Sequence, residues 1–214
     1  MVEVSTLNTL IIPAYNESSN IGRVLQVVIG MRDDFQEVVV VDDGSTDQTS
    51  DVSLQYGARV IRLETNQGKG GAIAAGLRAC GTPFLTLLDA DLIGLRPDHL
   101  RLLAAPVLQG EAAMSMGIFS AGRKRTDWAQ KVAPSITGQR VLRRELLETM
   151  PGLANARYGV DYALTAHAKR MKLPVAEVIL HDLTQIMKEE KLGLTKGFAA
   201  RLKMYWEIFR VMGK

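Results

Sequence analysis

The chain has 214 residues, 47% of them hydrophobic, and a net charge of +3, the make-up of a globular protein with one sizeable core rather than of a disordered or fibrous chain. Cys80 is its only cysteine, which excludes an internal disulfide or thiolate cluster and fits a reducing compartment; no run reaches the roughly 18 apolar residues of a membrane span, residues 1–10 lack the pattern of a signal peptide, and a cytoplasmic protein is expected. Residues 1–118 hold 8 basic and 14 acidic side chains and residues 119–214 hold 18 and 9, so cation binding is expected in the first part and contact with an anionic partner or surface in the second.

Residues 8–13 (NTLIIP) and 37–42 (EVVVVD) are short apolar runs of the kind buried on both faces of a parallel sheet. Between them, Ile21, Val24, Leu25 and Val28 fall at helical spacing. The alternation continues with a helix over 47–55, a strand over 59–63, a helix over 70–79, a strand over 83–88 and a helix over 97–108 that has Pro97 in its first turn. A strand is expected over 112–118. Residues 119–140 lack a clear period and read as a loop with a short helix around 127–132. Helices are expected over 141–149 and 158–171, a strand over 175–180, and an amphipathic helix over 195–212. This order predicts a doubly wound α/β fold with a mostly parallel, Rossmann-like sheet and helices on both faces.

In such sheets ligands bind beyond the carboxyl ends of the strands, and polar clusters gather there: Pro13-Ala14-Tyr15-Asn16-Glu17, Asp42-Asp43-Gly44-Ser45-Thr46-Asp47, Asn66-Gln67-Gly68-Lys69-Gly70 and Asp89-Ala90-Asp91. Any one of them can be a turn or a helix cap; four in succession argue for a site. In an extended segment Asp89 and Asp91 project to one face, and paired carboxylates are costly unless a proton or cation neutralises them. A hard divalent ion, Mg²⁺ or Mn²⁺, sharing diphosphate oxygens is the natural occupant, against a reading in which Asp91 only caps a turn. The glycines beside Lys69 open a helix whose N–H groups suit a phosphate, but neither the Walker A spacing nor GxGxxG after the first strand is present.

These four clusters closely resemble the inverting glycosyltransferase family 2 with the GT-A fold, most of all its branch of polyprenyl-phosphate (dolichyl-phosphate) hexose synthases and glucosyl-3-phosphoglycerate synthases. The resemblance is strong over 8–92 and weaker over 114–190. It implies that Pro13, Tyr15, Glu17 and Asp43 line the nucleoside pocket, that Lys69 lies near the diphosphate, and that Asp89, Ala90 and Asp91 bracket metal and sugar. It also implies one GT-A domain over 1–194, with a nucleotide-sugar-binding part (1–92) and an acceptor-binding part (93–194), followed by the helix at 195–214.

Where the polyprenyl branch usually has an Arg-rich stretch after the last strand, this chain has His181-Asp182; His181 resembles the extra metal ligand of other GT-A enzymes, though a lone His also serves as a structural hydrogen-bonder. His99 and His167 fall in expected helices and read as structural. Asp161 is the candidate carboxylate for deprotonating an acceptor hydroxyl, or an Asp placed well at a helix N-terminus; Asp91 is the second candidate catalytic residue. Thr137-Gly138-Gln139-Arg140 and Arg143 resemble the acceptor-binding segment, and with Arg123, Lys124, Arg125 and Arg144 they suit an anionic acceptor or a solvated basic surface.

The last helix carries Phe198, Leu202, Tyr205, Trp206, Phe209 and Met212 on one broad face. It suits the inner face of an anionic membrane, its own domain, or a second subunit in a homodimer. The function expected is metal-dependent transfer of a hexose from a UDP- or GDP-sugar to a polyprenyl phosphate, another lipid or a small phosphorylated acceptor. The alternatives are a nucleotidyltransferase, whose Gly-rich basic loop after the first strand is missing, and a non-catalytic sugar-nucleotide binder or membrane adaptor. Nucleic acid is not an expected partner, because the aromatics form no stacking platform.

Overall fold

The computed structural model describes residues 7–119 and 137–186. Its elements are β1 (Asn8–Ala14), α1 (Ile21–Ile29), β2 (Glu37–Asp42), α2 (Thr49–Gln55), β3 (Arg59–Arg62), α3 (Lys69–Ala79), β4 (Phe84–Leu87), β5 (Leu92–Ile93), α4 (Pro97–Leu108), β6 (Met114–Phe119), β7 (Arg140–Arg143), α5 (Arg144–Glu148), α6 (Val160–Arg170), β8 (Val175–Leu180) and β9 (Thr184–Gln185). The short helix expected around 127–132, the basic residues Arg123 to Arg125 and the helix expected over 195–212 lie outside the described residues. No described helix is long and apolar enough to cross a membrane.

Seven strands form one sheet in the order β3-β2-β1-β4-β7-β6-β8, and β5 pairs with β9 in a separate ribbon. β1 lies parallel between β2 and β4, and β2 pairs parallel with β3. The apolar runs are unbroken because both sheet faces are covered. Ile11, Val39 and Val41 pack on one side with Ile73, Leu85, Leu87 and Leu164. Leu10, Ile12, Val38 and Val40 pack on the other with Ile21, Val24, Leu25 and Val28 of α1. Each such buried branched side chain contributes about 1.5–3 kcal/mol.

The short strands β5 and β9 were not expected from the sequence, and β7 differs from the expectation outright. Residues 140–143 are a strand, not the first turn of a helix; the helix begins at Arg144. β7 runs antiparallel between β4 and β6, and its Val141 and Leu142 are fully buried. The vacant hydrogen-bonding edges of two flanking strands outweigh the helical spacing of the leucines that follow. This register places Arg140 beside Leu87, at the carboxyl end of β4, and Arg143 beside Phe84, at the opposite end.

Both described helical histidines are buried in the structure. His99 Nδ1 accepts the Arg96 N–H at 3.2 Å, and burial, with Arg96, lowers its pKa below 6.5. His167 sits between Thr149 Oγ1 (3.1 Å) and Arg170 Nη2 (3.0 Å), and burial, with Arg170, lowers its pKa as well. The fold therefore favours the neutral form of both. Below about pH 6.5 the unfolded chain takes up protons more readily than the folded chain, so this stability is complete above that pH and declines on the acid side. Urea unfolding is expected to show a lower midpoint near pH 5.5 than near pH 7.5, with a smaller drop in a His99→Gln/His167→Gln variant.

Candidate active site

The parallel register brings the strand-end clusters together, Ala14 opposite Asp42 and Asp42 opposite Arg62. Hydrogen bonds then stitch the first two clusters: Asn16 N–H to Ser45 Oγ (2.9 Å), Thr46 N–H to Asn16 Oδ1 (2.9 Å), Glu17 N–H to Thr49 Oγ1 (2.8 Å) and Ser18 N–H to Asp47 Oδ2 (3.0 Å). Pro13 and Glu17 are half-buried and Tyr15 is exposed at this rim. Glu17 accepts a hydrogen bond from Asn20 Nδ2 at 2.8 Å.

Asp43 is buried beneath the third cluster. Its carboxylate accepts the N–H groups of Gln67 (2.7 Å) and Gly68 (2.8 Å), so its first effect is to fold the turn that leads to Lys69. Burial raises its pKa, against the pull of those two hydrogen bonds and of Arg157. Gly68 holds φ at 81°, with Arg157 directly against the face where a Cβ would stand. A side chain there would meet both a left-handed backbone and the Arg157 main chain.

Lys69, in the first turn of α3, occupies the centre. Its Nζ lies 2.7 Å from Asp89 Oδ1 and 2.7 Å from Asp161 Oδ2. Desolvation works against the ammonium, but the two carboxylates outweigh it and hold its pKa far above the ordinary lysine range. Asp161, in the first turn of α6, is pushed up by burial while Lys69 and Arg140 pull it down. The other oxygen of Asp89 accepts Gln139 Nε2 at 2.8 Å, and Gln139 Oε1 accepts Thr137 Oγ1 at 2.7 Å. Arg140 donates from Nε to the Thr137 carbonyl and from Nη2 to the Asp161 carbonyl, both at 2.9 Å. Lys69, Asp89, Gln139, Thr137, Arg140 and Asp161 thus close a ring with two cations and two carboxylates. Gly138 crosses it so closely that a Cβ would collide with both Asp89 oxygens and the Lys69 ammonium.

Asp89 and Asp91 therefore differ. Ala90 is buried and Asp91, half-buried, sits in the turn before β5, whereas Asp89 faces inward on the ring. Among the described residues no group of three or more His, Cys, Asp or Glu side chains is placed to hold a metal. The β5–β9 ribbon follows Asp91 directly. It pairs Leu92 with Gln185 and Ile93 with Thr184, and the Ile186 N–H reaches the Asp91 carbonyl at 3.3 Å. The His181 carbonyl faces Arg96 Nη2 at 3.5 Å. A divalent ion that arrives with a diphosphate needs only one or two carboxylates besides the phosphate oxygens.

The expected acceptor residues separate in the same way. Gly138, Gln139 and Arg140 come to the ring, and the side chains of Gln139 and Arg140 are fully buried there. Arg143 is exposed at the opposite end of β7, about 10 Å from Arg140 at strand spacing. Arg144 donates to the Leu77 and Cys80 carbonyls at the end of α3. Thr165, which the sequence reading passed over, accepts Arg140 Nη1 at 2.9 Å. Nothing in an isolated mid-helix threonine points to that contact.

A family model described as Glycosyl transferase family 2 matches residues 9–161, from β1 to Asp161. The chain belongs to this glycosyltransferase family. It is 32% identical over 119 residues to glucosyl-3-phosphoglycerate synthase of Mycobacterium tuberculosis (strain ATCC 25618 / H37Rv), a match covering 52% of this chain and 37% of that protein. It is 36% identical over 112 residues to 4,4'-diaponeurosporenoate glycosyltransferase of Staphylococcus aureus (strain USA300), covering 50% and 30%. The matches thus span less than half the length of either relative. In fold it is similar to the crystal structure of the M. tuberculosis glucosyl-3-phosphoglycerate synthase with Mn²⁺, UDP and glucosyl-3-phosphoglycerate, with a TM-score of 0.71, 24% identity and coverage of 92% of this chain and 79% of that one. The same enzyme with Mg²⁺ and UDP gives a TM-score of 0.70. The GT-A fold of this glycosyltransferase is therefore the one expected from its clusters.

The ring is also a stability element. The side chains of Lys69, Asp89 and Asp161 are 15%, 21% and 8% exposed, and removing one partner from a buried ion pair costs about 3–5 kcal/mol. Lys69→Met is expected to lower the unfolding free energy by roughly that amount at neutral pH. The deficit should shrink as acid protonates the stranded carboxylates, which urea titrations at several pH values will measure.

Proposed function

We propose that this family 2 glycosyltransferase moves a hexosyl group from a UDP- or GDP-linked donor to a phosphorylated acceptor, small or lipid-borne. The observation that carries this reading is the position of Asp91: a half-buried carboxylate at the carboxyl end of the sheet, next to a ring that already satisfies Asp89. The fold neighbours crystallised with UDP or UDP-glucose, Mn²⁺ or Mg²⁺ and phosphoglycerate support the same class of substrates.

In this reading the donor lies along the strand ends, with Tyr15 and Glu17 at the nucleoside side and the start of α3 at the diphosphate. The N-terminal N–H groups of α3 favour that anion. A Mg²⁺ or Mn²⁺ ion, held by Asp91, would neutralise charge on the departing nucleoside diphosphate. The acceptor oxygen bonds to the anomeric carbon as the bond from that carbon to the diphosphate breaks. Where the acceptor attacks through a hydroxyl, its proton needs a carboxylate. Asp161 Oδ1, 3.9 Å from Arg140 Nε, is the oxygen of that residue not taken by Lys69. An acceptor that attacks through an ionised phosphate needs no such base.

The 195–212 pattern, apolar on one face and basic elsewhere, supports the further reading that the enzyme works against an anionic membrane surface on the cytoplasmic side. UDP- and GDP-sugars tested in turn with Mn²⁺ should give metal-dependent transfer or slow hydrolysis with one nucleotide, abolished by chelation. Asp91→Ala should eliminate the Mn²⁺-dependent part of nucleotide binding in calorimetry. Equal affinity in the variant would overturn the metal assignment, and binding of neither nucleotide by the native chain would overturn the donor reading.

A further inference from the structure

Arg140 looks from the sequence like an acceptor contact, but its place in the fold is different. It stands on β7 between two strands, wholly buried, where an unpaired guanidinium would be expensive. Burial alone lowers its pKa, and Asp161 and Asp89 oppose that. Each nitrogen has a protein partner: Nε on the Thr137 carbonyl, Nη2 on the Asp161 carbonyl and Nη1 on Thr165 Oγ1, all at 2.9 Å, with Met114 Sδ at 3.3 Å from Nη1. The fork therefore ties two backbone segments far apart in sequence, the entry to β7 and the first turn of α6. These are the segments that carry Gln139 to Asp89 and Asp161 to Lys69.

We propose that Arg140 is a positioning residue for glycosyl transfer: it locks the Thr137–Gln139 segment to the first turn of α6 and thereby fixes the Asp161 carboxylate and the Gln139-braced Asp89 beside the donor, without touching the acceptor. The role rests on the proposed transferase function and deepens it. It depends on the planar fork. A lysine keeps the charge but can serve one of three acceptors held at fixed angles, so it restores charge balance without restoring geometry. Misplacing a reacting group by about 1 Å costs on the order of 100-fold in rate, which sets the scale of the effect.

The test compares native enzyme with Arg140→Met, Arg140→Lys and Thr165→Val, the last removing one acceptor of the fork while keeping side-chain shape. With the donor and acceptor found for the native chain, Arg140→Met is expected to lose about 100-fold in kcat while KM for both substrates stays within about threefold. Thr165→Val should lose less in the same sense, and Arg140→Lys should recover only a small part. A rise in acceptor KM with kcat kept would overturn the proposal in favour of direct acceptor binding. Unchanged kcat per folded molecule, with only a lower Tm, would overturn it in favour of plain structural support.

Hydrogen exchange gives a readout without turnover, so it stands even if the donor reading fails. Amides of 137–139 and 160–163 should exchange faster in Thr165→Val and Arg140→Lys, while β1 and β2 stay protected as in the native chain. Equal exchange in those two segments would overturn the proposal whether or not any sugar is transferred.

Discussion

The crevice depends on one ammonium group held between two carboxylates that come from distant parts of the chain. Lys69 stands at the start of α3, Asp89 just beyond β4 and Asp161 at the start of α6, and the 2.7 Å contacts draw all three elements to one point. In this largely buried site the ammonium favours the ionised form of Asp161, and the two carboxylates in turn favour the ammonium. Arg140, beside Asp161, extends the arrangement so that positive and negative charges are equal in number. Asp91, one residue beyond the buried Ala90, lies outside this ring.

Much of the fold was legible because both sheet faces are covered. The four valines before Asp42 read as a strand buried on two sides, and their alternate members do enter two different cores. The helical stripe of Ile21, Val24, Leu25 and Val28 likewise reports a buried face. Residues 140–143 were misread because their strand identity resides in their neighbours. Val141 and Leu142 followed by Arg144, Leu146 and Leu147 satisfy a helical period, and only the gap between β4 and β6 makes a strand of the first four.

The site was legible in kind and less so in connection. Strand-end clusters rich in Asp, Asn and Gly signal a ligand-binding end, and the parallel register gathers them there. Which carboxylates turn to a lysine is decided by contacts across 20 and 92 residues, a separation at which spacing carries no information. The basic residues of the second part divide similarly, since Arg140 is an interior brace, Arg144 a helix cap, and Arg143 a solvent-facing charge at the remote end of its strand.

The ribbon of β5 and β9 also clamps the backbone beside the site. The Ile186 amide bonds to the Asp91 carbonyl, so the main chain that carries Asp91 is held by a segment far along the sequence. A carboxylate whose backbone is already fixed loses little further freedom when a ligand arrives, and binding is tighter by the ordering cost it avoids.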